Sequence, residues 1–327
     1  MEPEKLSSGS RGKPIRCRAA VSRKPGEPLV MEEIIVAPPM PHEVRIRIIC
    51  TSLCHSDIIF WKMKDCGECW EDVNEVTEGD TVIPTFMSQC GECADCRSTK
   101  SNLCTKFPFK VSPFMPRYET SRFTDLNGEV LYHFLFVSSF TEYTVVDIAH
   151  VTKIDPAVTP SRACLLGCGI STGVGAAWRT ANVEEGSTVA IFGLGSIGLA
   201  VAEGARLCGA TRIIGVDVNQ QKFEIGKKFG LTDFVDPANC ENKSVSQVII
   251  EMTGGGADYC FECVGLASLV QEAYACCRKG WGKTVVLGVD KPASLELQLD
   301  EFVTHEVSLK TSTKLLIYSL KGNVFDV

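Results

Sequence analysis

Two periodicities divide the chain. Up to about residue 154, short runs such as Ile34-Ile35-Val36, Val44-Arg45-Ile46-Arg47-Ile48-Ile49, Val130-Leu131-Tyr132 and Tyr143-Thr144-Val145-Val146 alternate or cluster in β-branched residues between Pro and Gly. This predicts an all-β domain over residues 1–160 that carries a long cysteine-rich loop. From Ser187 apolar runs of strand length alternate with runs of helical spacing. Strands are predicted over 188–192, 212–216, 233–235, 258–264 and 283–288, and helices over 197–208, 220–229, 244–252 and 267–277. Such alternation builds a parallel sheet with crossover helices on both faces. The expected fold class is α/β, with a doubly wound parallel sheet over 161–293 and a remnant segment over 294–327. Five predicted strands leave that sheet without its usual sixth.

Composition narrows the function. A length of 327 residues favours two cores over one, and 45% hydrophobic with 22% charged residues excludes disorder as the main state. The net charge of -7 argues against a surface for phosphate backbones, so no nucleic-acid partner is expected. The first residues lack the apolar centre of a secretory signal, and the uncharged stretch 189–202, with three glycines, is too short to span a bilayer. No membrane association is expected, and the expected location is cytoplasmic. In that compartment the 17 cysteines read as thiols and metal ligands rather than as a disulfide framework.

Gly193-Leu194-Gly195-Ser196-Ile197-Gly198 follows a predicted strand and opens an apolar helix, the context in which G-x-G-x-x-G carries a dinucleotide. The first glycine permits the turn, the second admits the pyrophosphate and the third lets helix and strand pack closely. The phosphates then face unpaired N–H groups at the positive end of the helix. Asp217 ends the next strand, where a carboxylate accepts from both ribose hydroxyls and repels a 2′-phosphate, so NAD is favoured over NADP. Lys222 either contacts the same ribose or is a solvated helix lysine.

Cys90-x2-Cys93-x2-Cys96-x7-Cys104 gathers four thiols in one loop. Short turns that bring four sulfurs together suit a closed tetrahedral zinc site, which is structural because no position stays open for water. A zinc ribbon that grips nucleic acid is the rival, and the acidic balance disfavours it.

Cys54-His55-Ser56-Asp57, the cysteine loop, Cys168-Gly169-Ile170-Ser171-Thr172-Gly173 and the stretch from Gly193 to Asp217 occur in the order found in zinc-dependent medium-chain alcohol dehydrogenases. Phe107-Pro108-Phe109-Lys110-Val111-Ser112-Pro113, Ser121-Arg122-Phe123-Thr124 and Tyr132-His133-Phe134 resemble the plant alcohol dehydrogenase-like branch. The resemblance covers most of residues 14–310 and implies a GroES-like β domain with a Rossmann domain. It implies hydride transfer between NAD and a primary or secondary alcohol, giving the aldehyde or ketone, with a small alcohol or aldehyde as partner and a family-type homodimer. Cys54 and Cys168 become ligands of a catalytic zinc, and the four loop cysteines hold a structural one. Ser56 passes on the alcohol proton, in a shortened relay because Ile59 stands where some members carry histidine. His55 lies near the pyrophosphate, and Thr172 and Val264 line the cofactor cleft. Without the family, Cys54 reads as a buried thiol and Ser56 as a turn residue.

The chain also departs from that pattern. The family's Gly-His-Glu, source of the third catalytic-zinc ligand, is absent: Lys64 runs into Asp65-Cys66-Gly67-Glu68-Cys69-Trp70. Cys66 and Cys69 are either substitute ligands or, as a one-base shift of the usual codons suggests, out-of-frame residues. After Asp290-Lys291-Pro292 about a strand and a crossover helix are omitted, and residues 312–327 read as a second frame-shifted segment that lacks the family's cofactor-binding arginine. A catalytic zinc held by two cysteines is expected to be weak, Asp57 to lose its histidine partner, and the sheet edge used by the dimer to be exposed. The alternative function is a catalytically inactive zinc- and NAD-binding product of an aberrant transcript or gene model.

Overall fold

The computed structural model describes residues 11–24, 26–54, 57–58, 76–77, 79–101, 103–109, 112–288 and the backbone of 306–309. Contacts divide the chain into two units, Met1–Gly167 and Cys168–Val327. Residues 66–70, read above as out of frame or as a source of substitute ligands, and residues 312–327, read as a second frame-shifted segment, lie outside the described residues.

Among the described residues of the first unit every strand pairing is antiparallel. Strands β1 (Ile15–Val21), β2 (Val30–Val36), β5 (Phe123–Asp125) and β6 (Val130–Leu131) form one sheet in that order. Two further pairs join β3 (Glu43–Arg47) to β7 (Tyr143–Asp147) and β4 (Val82–Pro84) to β8 (Val151–Lys153). Alternation sets the faces: Cys17, Ala19 and Val21 of β1 are buried with Ile34, Val36, Met115, Phe123 and Val145, while Arg16 and Arg18 point outward onto Glu33 and Glu142. Two single α-helical turns, α1 (Ala94–Arg97) and α2 (Pro160–Ala163), also lie in this unit.

Two buried ion pairs tie its loops to its strands. Arg122 donates from Nε and Nη2 to Glu43 at 2.7 and 2.8 Å, and Arg117 makes the same fork onto Asp147. The Arg122 N–H also donates to His133 Nε2 at 3.2 Å, and the imidazole lies on Phe123 at 4.4 Å. Burial, helped by the Arg122 charge, pushes His133 down to about 3. Its unfolded counterpart takes a proton near 6.5, so the unfolded chain binds the proton first. This contribution to stability is whole above about pH 6.5 and is lost as pH falls toward 3. His150, buried with Nδ1 on the Thr85 carbonyl, is shifted in the same direction by burial. His133→Gln is expected to flatten the acid limb of unfolding free energy against pH by roughly 1.4 kcal/mol per unit between about pH 4 and 6. Urea titrations across that range check the slope.

The second unit opens with α3 (Gly169–Gly175), then alternates β9 (Thr188–Phe192), α4 (Ser196–Leu207), β10 (Arg212–Val216), α5 (Gln221–Lys228), β11 (Asp233–Val235), α6 (Val245–Thr253), β12 (Tyr259–Glu262), α7 (Ala267–Ala275) and β13 (Lys283–Val286). The sheet order is β11-β10-β9-β12-β13, all parallel. Alternate residues of one strand enter opposite cores, Ile191, Ile213 and Phe261 on one face, and Phe192, Ile214 and Cys260 on the other. That is why these strands read as continuous apolar runs. Helix α6 starts on a reciprocal cap between Ser244 and Gln247 and stops at Gly254, whose φ is +64°.

The expectation of a missing sixth strand is corrected. The backbone of β14 (Glu306–Leu309) pairs parallel to β13, with Lys283 opposite Glu306 and Val286 opposite Leu309. An open parallel edge leaves a row of N–H and C=O groups unpaired, and a short extended segment from beyond the omitted stretch takes that place. The edge of the sheet is therefore β14 rather than β13.

Candidate functional site

The glycine-rich turn connects β9 to α4, and its three glycines answer to different constraints. Gly193 has φ +93°, and a Cβ there would lie 2.4 Å from Val264 Cγ2. A Cβ on Gly198 would stand 1.9 Å from the Gly193 carbonyl oxygen, so the helix could not sit this close to the turn. Gly195 differs: its φ of -84° and ψ of -167° suit any residue, and a Cβ there would meet nothing within 4 Å. Neither backbone nor neighbour requires glycine at this position. Space is left in front of the N-terminus of α4, whose first turn has no side-chain cap. A pyrophosphate fits such a cradle.

Asp217 follows β10 and is buried. Its Oδ2 accepts from the Leu194 N–H at 2.8 Å and Lys222 Nζ at 2.7 Å, and Oδ1 accepts from the Asn219 N–H at 2.9 Å. Burial alone would raise this carboxyl; Lys222 and the two N–H groups overcome it and hold the pKa below the ordinary value. The group is thus an anion at neutral pH with acceptor capacity remaining. Lys222, left open between ribose and solvent by the sequence, stands on Asp217. The Leu194 bond fastens the middle of the glycine turn to the same carboxylate, so Leu194 acts through its backbone while Ser196 and Ile197 begin the helix.

The sheet order reverses at β9 and β12, and the crevice outside their carboxyl ends is where doubly wound sheets take ligands. Val264 stands there, 41% exposed, beside Gly193. Its N–H and that of Gly265 donate to Glu262 Oε1 at 2.9 and 2.8 Å. Glu262 is fully buried, and burial raises its carboxyl despite these donors. The sequence reading missed it; an acidic residue ending an apolar strand was the available signal. Cys168 precedes α3, where Thr172 is buried with its N–H on the Cys168 carbonyl at 2.9 Å. A Cβ on Gly169 would lie 3.4 Å from Ser196 Oγ, so the Cys168 end of α3 adjoins the glycine turn.

In the first unit the Sγ atoms of Cys90, Cys93, Cys96 and Cys104 all lie within 4.8 Å of one another. Four sulfurs about 2.3 Å from a zinc ion stand about 3.8 Å apart; Cys90 and Cys96 are separated by 3.7 Å. Backbone N–H groups of Cys93, Cys96 and Phe107 donate to the sulfurs of Cys90, Cys93 and Cys104, each at 3.3 Å. Against the opposing effect of burial, such donors hold Cys93 down at about 5, while burial and a neighbouring sulfur push Cys104 up to about 12. Crowded sulfurs cannot all ionise without a cation, and the donor set suits zinc.

Cys54 is half-buried; its N–H donates to Asp57 Oδ2 at 2.7 Å, and Asp57 donates back to the Cys54 carbonyl at 3.1 Å. Asp57, expected to lack compensation, thus has a backbone donor, and burial raises its carboxyl. His55, Ser56 and Ile59 lie outside the described residues. No helix among the described residues is long and apolar enough to cross a membrane.

The sequence pattern described as alcohol dehydrogenase GroES-like domain matches residues 40–156, and that described as zinc-binding dehydrogenase matches 196–321. Alcohol dehydrogenase-like 7 of Arabidopsis thaliana is 67% identical over 330 residues, spanning 95% of this chain and 83% of the relative. Alcohol dehydrogenase-like 5 of the same plant is 50% identical over 379 residues, spanning 98% and 97%. Since 98% of 327 residues is about 320, roughly sixty of those 379 positions face gaps in this chain, which is internally shorter than the relative. Among solved structures, an alcohol dehydrogenase zinc-binding domain protein from Burkholderia ambifaria superposes with a TM-score of 0.83 at 26% identity, covering 94% of this chain and 87% of that one.

Proposed function

This chain belongs to the zinc-dependent alcohol dehydrogenase family, in its plant alcohol dehydrogenase-like branch, and from that premise we propose that it interconverts a small primary or secondary alcohol and its aldehyde or ketone by hydride transfer to NAD. The observation that carries the cofactor half is the open space at Gly195 beside the anionic, buried Asp217. Nicotinamide supplies the hydride acceptor; the chain binds, orients and excludes. On this reading the turn from Gly193 to Gly198 holds the pyrophosphate, Asp217 with Lys222 holds the adenosine ribose, and Thr172 and Val264 line the cleft. His55 keeps its place near the phosphates and Ser56 its role in moving the alcohol proton.

The four loop cysteines take a structural zinc, whose chemistry is to close the loop rather than to activate substrate. Cys54 and Cys168 keep the catalytic-ligand role that the family resemblance gives them. Two thiols fall one short of the three protein ligands usual in catalytic zinc sites, and no step is assigned to that ion. The missing Gly-His-Glu favours a second reading, a zinc- and NAD-binding chain without turnover. Cytoplasmic location and a homodimer accompany the first reading.

Asp217 provides the cofactor test. Asp217→Asn keeps the shape and removes the charge, so NAD binding is expected to weaken by roughly tenfold and the preference for NAD over NADP to shrink, as befits loss of about 1–2 kcal/mol of charge-assisted hydrogen bonding. Calorimetric titration with both dinucleotides reads the change; an unaltered ratio contradicts the assignment.

A further inference from the structure

The loop from Cys90 to Cys104 has no apolar core of its own: its one large apolar side chain, Leu103, is exposed. Both ends are instead fixed from outside. Upstream, the N–H of Gln89, next to Cys90, donates to the Ala149 carbonyl at 2.7 Å. Downstream, Phe107 donates its N–H to Cys104 Sγ, accepts from Ser88 Oγ at its carbonyl, and has the Arg117 guanidinium over its ring at 4.8 Å.

A single carboxylate joins the two anchors. Asp147, 1% exposed, takes the Arg117 fork, and its Oδ1 also accepts from the Ala149 N–H at 2.8 Å. It thereby fixes both Ala149, the residue whose carbonyl holds Gln89, and the guanidinium that covers Phe107. Arg117 is 2% exposed, and its Nη1 is buried without a hydrogen-bond partner among the described residues. A buried ion pair with one nitrogen unsatisfied is a poor source of net stability compared with apolar side chains of the same volume. Its advantage is geometric, because a planar fork fixes direction as well as distance.

We propose that the Arg117–Asp147 pair is the positioning device of the metal loop: through Ala149 and Gln89 on one side and Phe107 on the other, it sets Cys90 and Cys104 for tetrahedral coordination. This rests on the zinc reading of the loop.

The test uses the full chain, loaded with zinc or with cobalt(II) as a coloured substitute. Arg117→Met and Phe107→Leu are compared with Arg122→Met, which breaks the other buried pair of the same unit; its Glu43 stands opposite Asp147 in the β3–β7 register, but the described side-chain contacts of Arg122 do not reach the loop. Arg117→Met is expected to speed zinc transfer to a chromogenic chelator by roughly ten- to a hundredfold and to shift the cobalt–thiolate bands. Phe107→Leu, which leaves the ion pair intact, is expected to move both readouts in the same direction, and it carries the test alone if Arg117→Met does not fold. Arg122→Met is expected to leave them at the parental values. The proposal is overturned if the Arg117 and Phe107 variants match the parent, or if Arg122→Met accelerates release as much, which would make the effect general loosening. A parent that shows no cobalt–thiolate bands instead removes the zinc reading itself.

Discussion

Gly195→Thr is expected to fold like the parent and to lose most of its affinity for NAD, whereas Gly198→Ala is expected to lose the fold. The two positions lie three residues apart in one turn, so the contrast isolates what the space at Gly195 is for. Threonine caps helices about as well as glycine, adopts the extended angles found at Gly195, and meets no protein atom there within 4 Å at its Cβ. Its branches would project where the pyrophosphate has to approach. The expected rise in Kd is roughly ten- to a hundredfold, the about 1–3 kcal/mol of forcing extra groups into filled space. At Gly198 the added methyl would stand 1.9 Å from a backbone oxygen, which no rotamer relieves. Separation of α4 from β9 is expected to cost about 3 kcal/mol or more. Thermal unfolding and NAD titration of both variants check the pair; a parental NAD affinity in Gly195→Thr would sink the cradle.

Cys96→Ser is the second large effect. Cys96 is fully buried, its N–H is bonded to Cys93 Sγ, and its own sulfur lies 3.7 Å from Cys90. Serine keeps the size but is a poor zinc ligand, so the loop is expected to release its metal. Zinc content is expected to fall by one ion per chain, and the first unit to lose about 3 kcal/mol or more, because binding energy at a structural zinc site is folding energy. Cys17→Ser supplies the comparison. Cys17 is also buried, but it packs in the sheet core with its sulfur 3.6 Å from Thr141 Oγ1. Its loss is expected to leave zinc content unchanged and to cost about 1 kcal/mol. Elemental analysis and denaturant titration separate a ligand from a core thiol; equal zinc content in both variants contradicts the loop assignment.

What the sequence disclosed follows from how local each feature is. Strands β9 and β10 coincide with the predicted limits because their apolar runs are bounded by turn residues. The glycine turn and Asp217 belong to one β-α-β unit, so their spacing carries over directly into space. Predicted strand 258–264 ends earlier, at Glu262, because that carboxylate turns the chain by taking the N–H groups of Val264 and Gly265. β14 was missed because its place is decided by an unpaired strand edge rather than by its own pattern. Arg117 with Asp147, and Arg122 with Glu43, are separated by 30 and 79 residues, and nothing in the periodicity links them. Ser121-Arg122-Phe123-Thr124 and Tyr132-His133-Phe134 marked the family in the sequence; in the structure they supply the buried pair and a neutral histidine acceptor.

Hydride transfer is the central claim, and the near-ultraviolet absorbance of reduced nicotinamide reads it directly. Purified full-length chain, zinc-loaded and mixed with NAD and a primary alcohol, is expected to form NADH at a rate that follows protein concentration and vanishes in Cys54→Ala. Saturated NAD binding with no NADH formed across a series of primary and secondary alcohols would contradict the account and leave a chain that holds zinc and dinucleotide without turning them over.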